Sequence, residues 1–308
     1  MSFSYDVKEE LCSCITDMDK KYACLYGMLL FCKQFDSSQI TFQTEHEKVA
    51  GLFCSLVDDM LNGRKTVSVT KTEKKNKGTI FSLNIENEAD RFSLISRYKI
   101  PSKEKMHRIQ QDNIDINGLD AFFAGAFLAC GSIIDPNKEY HLEFVTPYFN
   151  LSNEMQQLLM TLGISTKRLE RKGVQVLYIK GSENIEDLLT FMGATMCSLE
   201  IMNIKILKDV RNKANRIANC DSANIEKTVE ASSRQVEDIN FIEKNRGLDF
   251  LSDELRDIAE IRLEYPELSL RELGQMLDKP IGRSGANHRM KKISAIADEI
   301  REKKDIME

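Results

Sequence analysis

The chain has 308 residues, 42% apolar and 30% charged, enough for two domains or one large one around a real core. Its net charge of −5 excludes a generally basic nucleic-acid binder, so any such surface must be a local patch. Eight scattered cysteines (Cys12, Cys14, Cys24, Cys32, Cys54, Cys130, Cys197 and Cys220) form no CxxC pair, which argues against zinc and for reduced thiols in a cytoplasm.

The first six residues lack a basic segment followed by an apolar stretch, so no signal peptide is expected. The longest apolar run, 22–32, is far below the roughly 20 residues that span a bilayer and reads as a buried helix. It holds a small-residue segment, Leu25-Tyr26-Gly27-Met28-Leu29-Leu30-Phe31-Cys32. A strand is expected at 40–44. A helix follows with Val49, Leu52, Phe53, Leu56, Val57, Met60 and Leu61 on one face. Strands at 67–69 and 80–85 flank a basic loop, 74–78, and a helix at about 88–97 closes the unit.

The polar stretch 101–117 reads as a linker. The same order then repeats: the segment Phe123-Ala124-Gly125-Ala126-Phe127-Leu128-Ala129-Cys130, a strand at 140–146, a helix at about 152–162 with Met155, Leu158, Leu159 and Leu162 inward, strands at 165–169 and 174–179, and a helix at about 185–192. This pattern predicts α+β, with helices on one side of each sheet.

Gly27 corresponds to Gly125, and Cys32 to Cys130. Both segments resemble the helix of LAGLIDADG homing endonucleases. The resemblance implies two helices packed along a pseudo-twofold axis, with an acid near each end that binds a divalent metal. Here Cys32 is followed by Lys33, and Cys130 by Gly131; neither helix has the acid. A lysine can bind phosphate but cannot hold Mg²⁺, which prefers hard oxygen ligands. Phosphodiester cleavage needs a metal to generate the nucleophile. Cys32 and Cys130 are therefore degenerate active-site positions, with no catalytic residue, metal or cofactor expected. Asp36 and Asp135 lie close behind the helices and are expected in turns, Asp135-Pro136 especially. His46, His107, His141 and His288 show no ligand spacing, and His141 is expected to pack in its strand. Two similar halves would present two sheets side by side, matching the near-symmetry of duplex DNA. A duplication with no DNA role is the alternative.

From about Glu200 the sequence turns to long helices. Lys205, Lys208, Arg211, Lys213 and Arg216 form a basic run and are additional candidate DNA contacts. Asn219-Cys220-Asp221-Ser222 reads as a break and cap. The next helix, about 223–243, carries an apolar stripe of Ile225, Val229, Val236, Ile239 and Ile242, and ends at Gly247.

The last 58 positions, 251–308, predict three helices. The first has Leu255, Ile258, Ala259 and Arg262 in register and stops at Pro266. The second opens with a capping box, Ser269-Leu270-Arg271-Glu272, with Leu270, Leu273, Met276 and Leu277 inward. The third starts near Ser284 and buries Ala286, Met290, Ile293, Ala297 and Ile300. No acid occurs from Lys279 to Ala297. This suits a recognition helix, in which Asn and Arg bond base edges and Lys neutralises phosphate. The candidate DNA contacts are Ser269, Arg271, Arg283, Ser284, Asn287, His288, Arg289, Lys291 and Lys292.

With both ends read, the chain resembles the WhiA family of bacterial DNA-binding regulators over nearly its full length. The resemblance rests on residues 124–132, on Tyr140-His141-Leu142-Glu143, and on Asn215-Arg216, Asn219-Cys220-Asp221 and Ala223-Asn224. It also rests on Ser269-Leu270-Arg271-Glu272-Leu273-Gly274 and Ser284-Gly285-Ala286-Asn287-His288-Arg289. It implies a duplicated LAGLIDADG-like αββαββα pseudo-dimer, repeats 1–100 and 118–217, then a connecting helix, 218–250, and an all-α helix-turn-helix domain, 251–308, resembling region 4 of sigma factors. It further implies a cytoplasmic, nucleoid-associated transcription regulator acting in sporulation, cell division or chromosome segregation. Its partners would be double-stranded DNA and transcription or division proteins, with no membrane role. Two other functions stay open: a protein-interaction hub with secondary DNA affinity, and an active endonuclease with relocated acids.

Overall fold

In a computed structural model the protein is described over residues 2–74, 78–100, 107–114 and 117–305. Most of the expected basic loop (75–77), parts of the expected linker (101–106 and 115–116) and the final 306–308 lie outside the described residues. The chain forms two compact units, Met1–Asp209 and Val210–Glu308.

The first unit begins with α1 (Phe3–Cys14), which the sequence reading passed over. Its Phe3, Val7 and Leu11 recur at four-residue intervals and are buried. Two copies of one motif follow. The first copy runs α2 (Met18–Leu30), β1 (Gln34–Phe35), β2 (Ile40–Thr44), α3 (Glu47–Met60), β3 (Val67–Lys74), β4 (Gly78–Ile85) and α4 (Glu88–Arg97). The second runs α5 (Leu119–Cys130), β5 (Gly131–Ile133), β6 (Leu142–Thr146), α6 (Phe149–Thr161), β7 (Lys167–Arg171), β8 (Val174–Ile179) and α7 (Ser182–Met192). The short strands β1 and β5 are too brief to show a period of two in sequence. His141 falls just before β6 rather than inside it; it stacks on Tyr178 at 5.4 Å and lies 3.3 Å from Glu143.

The sheets are antiparallel and share one strand order, β1-β2-β4-β3 and β5-β6-β8-β7. The repeat extends to register: Phe42 faces Leu83 in the first sheet, and Phe144 faces Leu177 in the second. The entry to the next helix repeats as well. The Thr44 hydroxyl accepts from the His46 N–H at 3.1 Å, and the Thr146 hydroxyl from the Tyr148 N–H at 3.3 Å. His46 then stacks on Tyr5, and Tyr148 on His107.

The core lies around α2 and α5. Every residue from Ala23 to Leu30 and from Ala121 to Leu128 is buried, so neither helix has a polar side at its centre. Glycine sets how closely they cross. A Cβ on Gly27 would stand 2.9 Å from the Ala126 nitrogen, and one on Gly125 would stand 2.8 Å from the Cys24 carbonyl carbon. Without side chains there, the two backbones meet directly.

After α7 comes α8, a single helix from Thr195 to Arg246. The break expected at Asn219-Cys220-Asp221-Ser222 is not there. Asn, Asp and Ser cap a helix only where the backbone leaves helical geometry, and this stretch contains neither Pro nor Gly to force it out. No connecting helix therefore begins at 218. The expected apolar stripe is also corrected. Ile239 and Ile242 are buried and Val236 is half-buried, but Ile225 and Val229 are exposed at 64% and 61%. The helix does end at Gly247, whose φ is +78°.

In the second unit, α9 (Asp253–Glu264), α10 (Leu270–Met276) and α11 (Arg283–Asp305) follow. They enclose a small core of Ile239, Ile242, Leu255, Ile258, Leu273, Ala286, Met290, Ile293 and Ala297. Leu270 and Ile300 pack only partly against it, and Met276, expected inward, is exposed because α10 ends there.

Candidate nucleic-acid interface

Helix α10 begins with the capping box predicted from sequence. The Glu272 carboxylate accepts from the Ser269 N–H at 2.8 Å, and the Ser269 hydroxyl accepts from the Glu272 N–H at 3.4 Å. The Ser269 hydroxyl, and after it the Ser269 N–H, hold the Glu272 carboxyl below its ordinary pKa. The turn that follows folds back on Gly274. The Ile281 N–H donates to the Gly274 carbonyl at 2.9 Å, and a Cβ on Gly274 would meet the Ile281 carbonyl carbon at 3.3 Å. This contact fixes the start of α11 relative to α10.

Along the first half of α11, Ala286, Met290 and Ile293 are buried while Arg283, Ser284, Asn287, His288, Lys291 and Lys292 are exposed. Ser269, Arg271, Arg283 and Asn287 come together around one cavity of about 650 Å³, which Lys227 of α8 and Arg262 of α9 also line. Ser284 joins Arg283 and Asn287 at a neighbouring hollow. Arg289 points elsewhere. Its guanidinium donates to the Glu254 carbonyl at 3.2 Å and lies 3.4 Å from the Glu254 carboxylate, leaving the side chain 19% exposed.

Sequence reasoning gave Arg262 a place in the α9 register but no role. The residue is 2% exposed. Its Nη1 donates to the carbonyls of Pro266 (3.2 Å) and Leu268 (2.6 Å), while its Nε has no partner. An arginine at a position where the helical period calls for an apolar residue was the available signal.

The first unit places the other candidates. Cys32 is buried, and its thiol donates to the Gln34 carbonyl at 3.0 Å. Cys130 stands at the matching end of α5. Burial pushes both thiols up to about 12. A neutral thiol in that setting is a poor ligand for a hard cation. Lys33 is exposed. Asp36 and Asp135 both close turns. The Asp36 carboxylate accepts from the N–H groups of Ser38 (2.8 Å) and Gln39 (2.9 Å), and that of Asp135 accepts from the Asn137 N–H at 2.9 Å. Burial pushes the Asp36 carboxyl up, but its bonds from Ser38, Gln34 and Gln39 outweigh it and hold the group well below the usual carboxylate range.

The basic run on α8 divides in two. Lys205 pairs with Glu183 at 3.0 Å, and the Lys208 ammonium donates to the Pro136 carbonyl at 2.6 Å and sits over the Tyr140 ring. Arg211, Lys213 and Arg216 are exposed. Among the described residues, no helix is long and apolar enough to cross a membrane, and no three His, Cys, Asp or Glu side chains converge as a metal site would need.

The model of the WhiA C-terminal HTH domain matches residues 214–297, and that of the WhiA LAGLIDADG-like domain matches residues 119–211. The chain is 37% identical over 316 residues to the probable cell division protein WhiA of Clostridium tetani, covering 97% of this chain and 98% of that one. It is 39% identical over 313 residues to the probable cell division protein WhiA of Clostridium perfringens strain SM101, covering 98% and 99%. Among solved structures, full-length DUF199/WhiA from Thermatoga maritima superposes with a TM-score of 0.58 at 26% identity, covering 97% of this chain and 99% of that one.

Proposed function

The chain belongs to the WhiA family, and from that premise we propose that it is a non-enzymatic, sequence-specific binder of double-stranded DNA that regulates transcription in the service of cell division, sporulation or chromosome segregation. The observation that carries this reading is the exposed face of α11. It presents Arg283, Ser284, Asn287, His288, Lys291 and Lys292, with no acid anywhere from Lys279 to Ala297. Asn287 supplies base-edge chemistry, which Arg289 joins only on release from Glu254; Lys291 and Lys292 supply phosphate neutralisation. Ser269 and Arg271 at the head of α10, with Arg283 and Ser284 at the head of α11, position the backbone of the duplex. Arg211, Lys213 and Arg216 add contacts that do not depend on sequence.

The first unit keeps a nuclease scaffold without the nuclease acids. Thiols at Cys32 and Cys130, and turns closed by Asp36 and Asp135, supply no metal-bound nucleophile. This unit is free to serve transcription or division proteins as a docking body, in a protein that works at the nucleoid.

A gel-shift and cleavage assay of the full chain on genomic fragments, with and without Mg²⁺, tests the reading. Shifted, uncut DNA with a sequence preference is expected. Magnesium-dependent cleavage abolished by Asp135→Asn would overturn the non-enzymatic part. Absence of any shift at low salt would overturn DNA binding.

A further inference from the structure

We propose that the cavity shared by α8, α9, α10 and α11 in the second unit is a phosphate-binding site, with Lys227, Arg271 and Arg283 as its exposed cations and Arg262 as its buried wall. The cavity measures about 650 Å³ and is lined by four cationic side chains. Among the described residues, no Asp or Glu lines it. Ala231 and Leu270 are the only apolar residues among those that line it, the rest being cationic or neutral polar.

Arg262 is the observation that points to an anion. The residue is 2% exposed, yet its two bonds go to neutral carbonyls and its Nε has no partner. A buried guanidinium without an anion is costly unless a charge completes its surroundings. Glu267 acts on it only through space, against a larger effect of burial, which pulls the guanidinium below its ordinary pKa. An anion held in the cavity would supply what this environment lacks.

Phosphate chemistry fits the donors. Guanidinium forks match tetrahedral oxyanions and bond them through pairs of parallel N–H groups. Arg283 also opens α11, a helix of 23 residues, whose positive end favours an anion held beside that residue. Gln235 lines the wall, and its side-chain oxygen is likewise without a partner. Its amide can therefore turn to present NH₂. The volume exceeds that of one phosphate ion and leaves room for a sugar beside it.

Two sources of the same group fit: a phosphodiester of the duplex and a free phosphoryl ligand such as a nucleotide. The first rests on the DNA-binding reading above; the site itself does not. The experiment titrates the full chain with inorganic phosphate and with pyrophosphate by calorimetry, without DNA and at fixed ionic strength. Saturable binding at one site is expected. Lys227→Gln and Arg283→Gln should each weaken it about tenfold or more, as loss of a charge-assisted hydrogen bond does. Lys244→Gln, exposed on α8 and outside the cavity, should leave it unchanged. Arg262→Met adds a test only if the variant still melts cooperatively, and then it should lose binding. No saturable binding, or equal weakening by Lys244→Gln, would overturn the site.

A second arm separates the sources. Phosphate that competes with DNA, together with one methylphosphonate position that weakens wild-type binding but not that of Lys227→Gln, assigns the site to the duplex backbone. Phosphate that binds the DNA-bound protein undiminished assigns it to a free ligand. Phosphate binding without a gel shift sinks the DNA reading alone; a shift without phosphate binding sinks this site alone.

Discussion

A Cβ on Gly125 would stand 2.8 Å from the carbonyl carbon of Cys24, and nearer still to its oxygen. The crossing of α2 and α5 therefore tolerates no side chain there. Gly125→Ala should destabilise the protein by about 3 kcal/mol, because the backbone it meets cannot turn aside. Gly51 lies on the outer face of α3, and nothing would meet a Cβ there within 4 Å. Gly51→Ala should instead stabilise by about 0.5–1 kcal/mol through helix propensity. Urea denaturation of both variants checks the contrast; similar losses at the two sites would mean that close approach does not set the crossing.

Arg289 must release Glu254 before it can reach a base edge. If it reads DNA, Arg289→Ala should weaken specific binding by about 1–3 kcal/mol. Glu254→Gln, by weakening the competing pair, should tighten binding. Glu254 is 77% exposed in its side chain, so this ion pair adds little stability and the substitution should leave the fold intact. Fluorescence anisotropy on the preferred fragment reads both. Two silent variants would assign Arg289 to the packing of α9 against α11.

Lys291 is exposed on the same helix and is expected to meet phosphate. Lys291→Ala should lower affinity for every sequence alike and reduce the slope of log affinity against log salt by about one. An unchanged slope would remove this lysine from the backbone contacts.

Acidification should destabilise the first unit before its carboxylates protonate. Both ring nitrogens of His46 are buried without partners, and burial holds its pKa below 6.5 despite the opposing charge of Glu9. Burial does the same for His107. A depressed imidazole pKa means that the unfolded chain takes up protons first. The related stability is therefore complete above 6.5 and falls as pH drops from there through the folded values. Melting curves between pH 7.5 and 5 on the wild type and on His46→Phe/His107→Phe read this. The double variant should show the shallower decline; identical profiles would place the loss elsewhere.

Thiol labelling provides another check. Cys220 is exposed on α8, whereas burial raises Cys32 and Cys130 to about 12 and leaves almost no thiolate near neutrality. A maleimide should modify Cys220 first and reach the other two only on unfolding. Early labelling of Cys130 in the native chain would show that the end of α5 opens.

Much of this architecture was legible from local patterns. The Gly27 and Gly125 segments, the capping box at Ser269 and the spacing of Ala286, Met290 and Ile293 each follow from local rules, and each is realised. The missed features depend on what lies across space. Nothing local shows that Arg289 bonds Glu254, that Lys205 and Lys208 are occupied within the first unit, or that Arg262 lies buried beside a cavity. Ile225 and Val229 have helical spacing, but spacing does not show whether anything covers them. The break expected at Asn219-Cys220-Asp221-Ser222 failed because residues that favour caps also sit in solvated helix interiors.

Both halves of the glycine crossing belong to one polypeptide, so dilution cannot separate them as it separates the subunits of an obligate dimer. Covalent linkage also frees the halves from having to stay alike. At matching register positions, Thr41 and Asn84 in one sheet correspond to Glu143 and Tyr178 in the other, and Gln43 and Ser82 correspond to Val145 and Val176. A homodimer would display every substitution twice; this chain can alter one face and keep the other, so a partner of its sheets need not be palindromic.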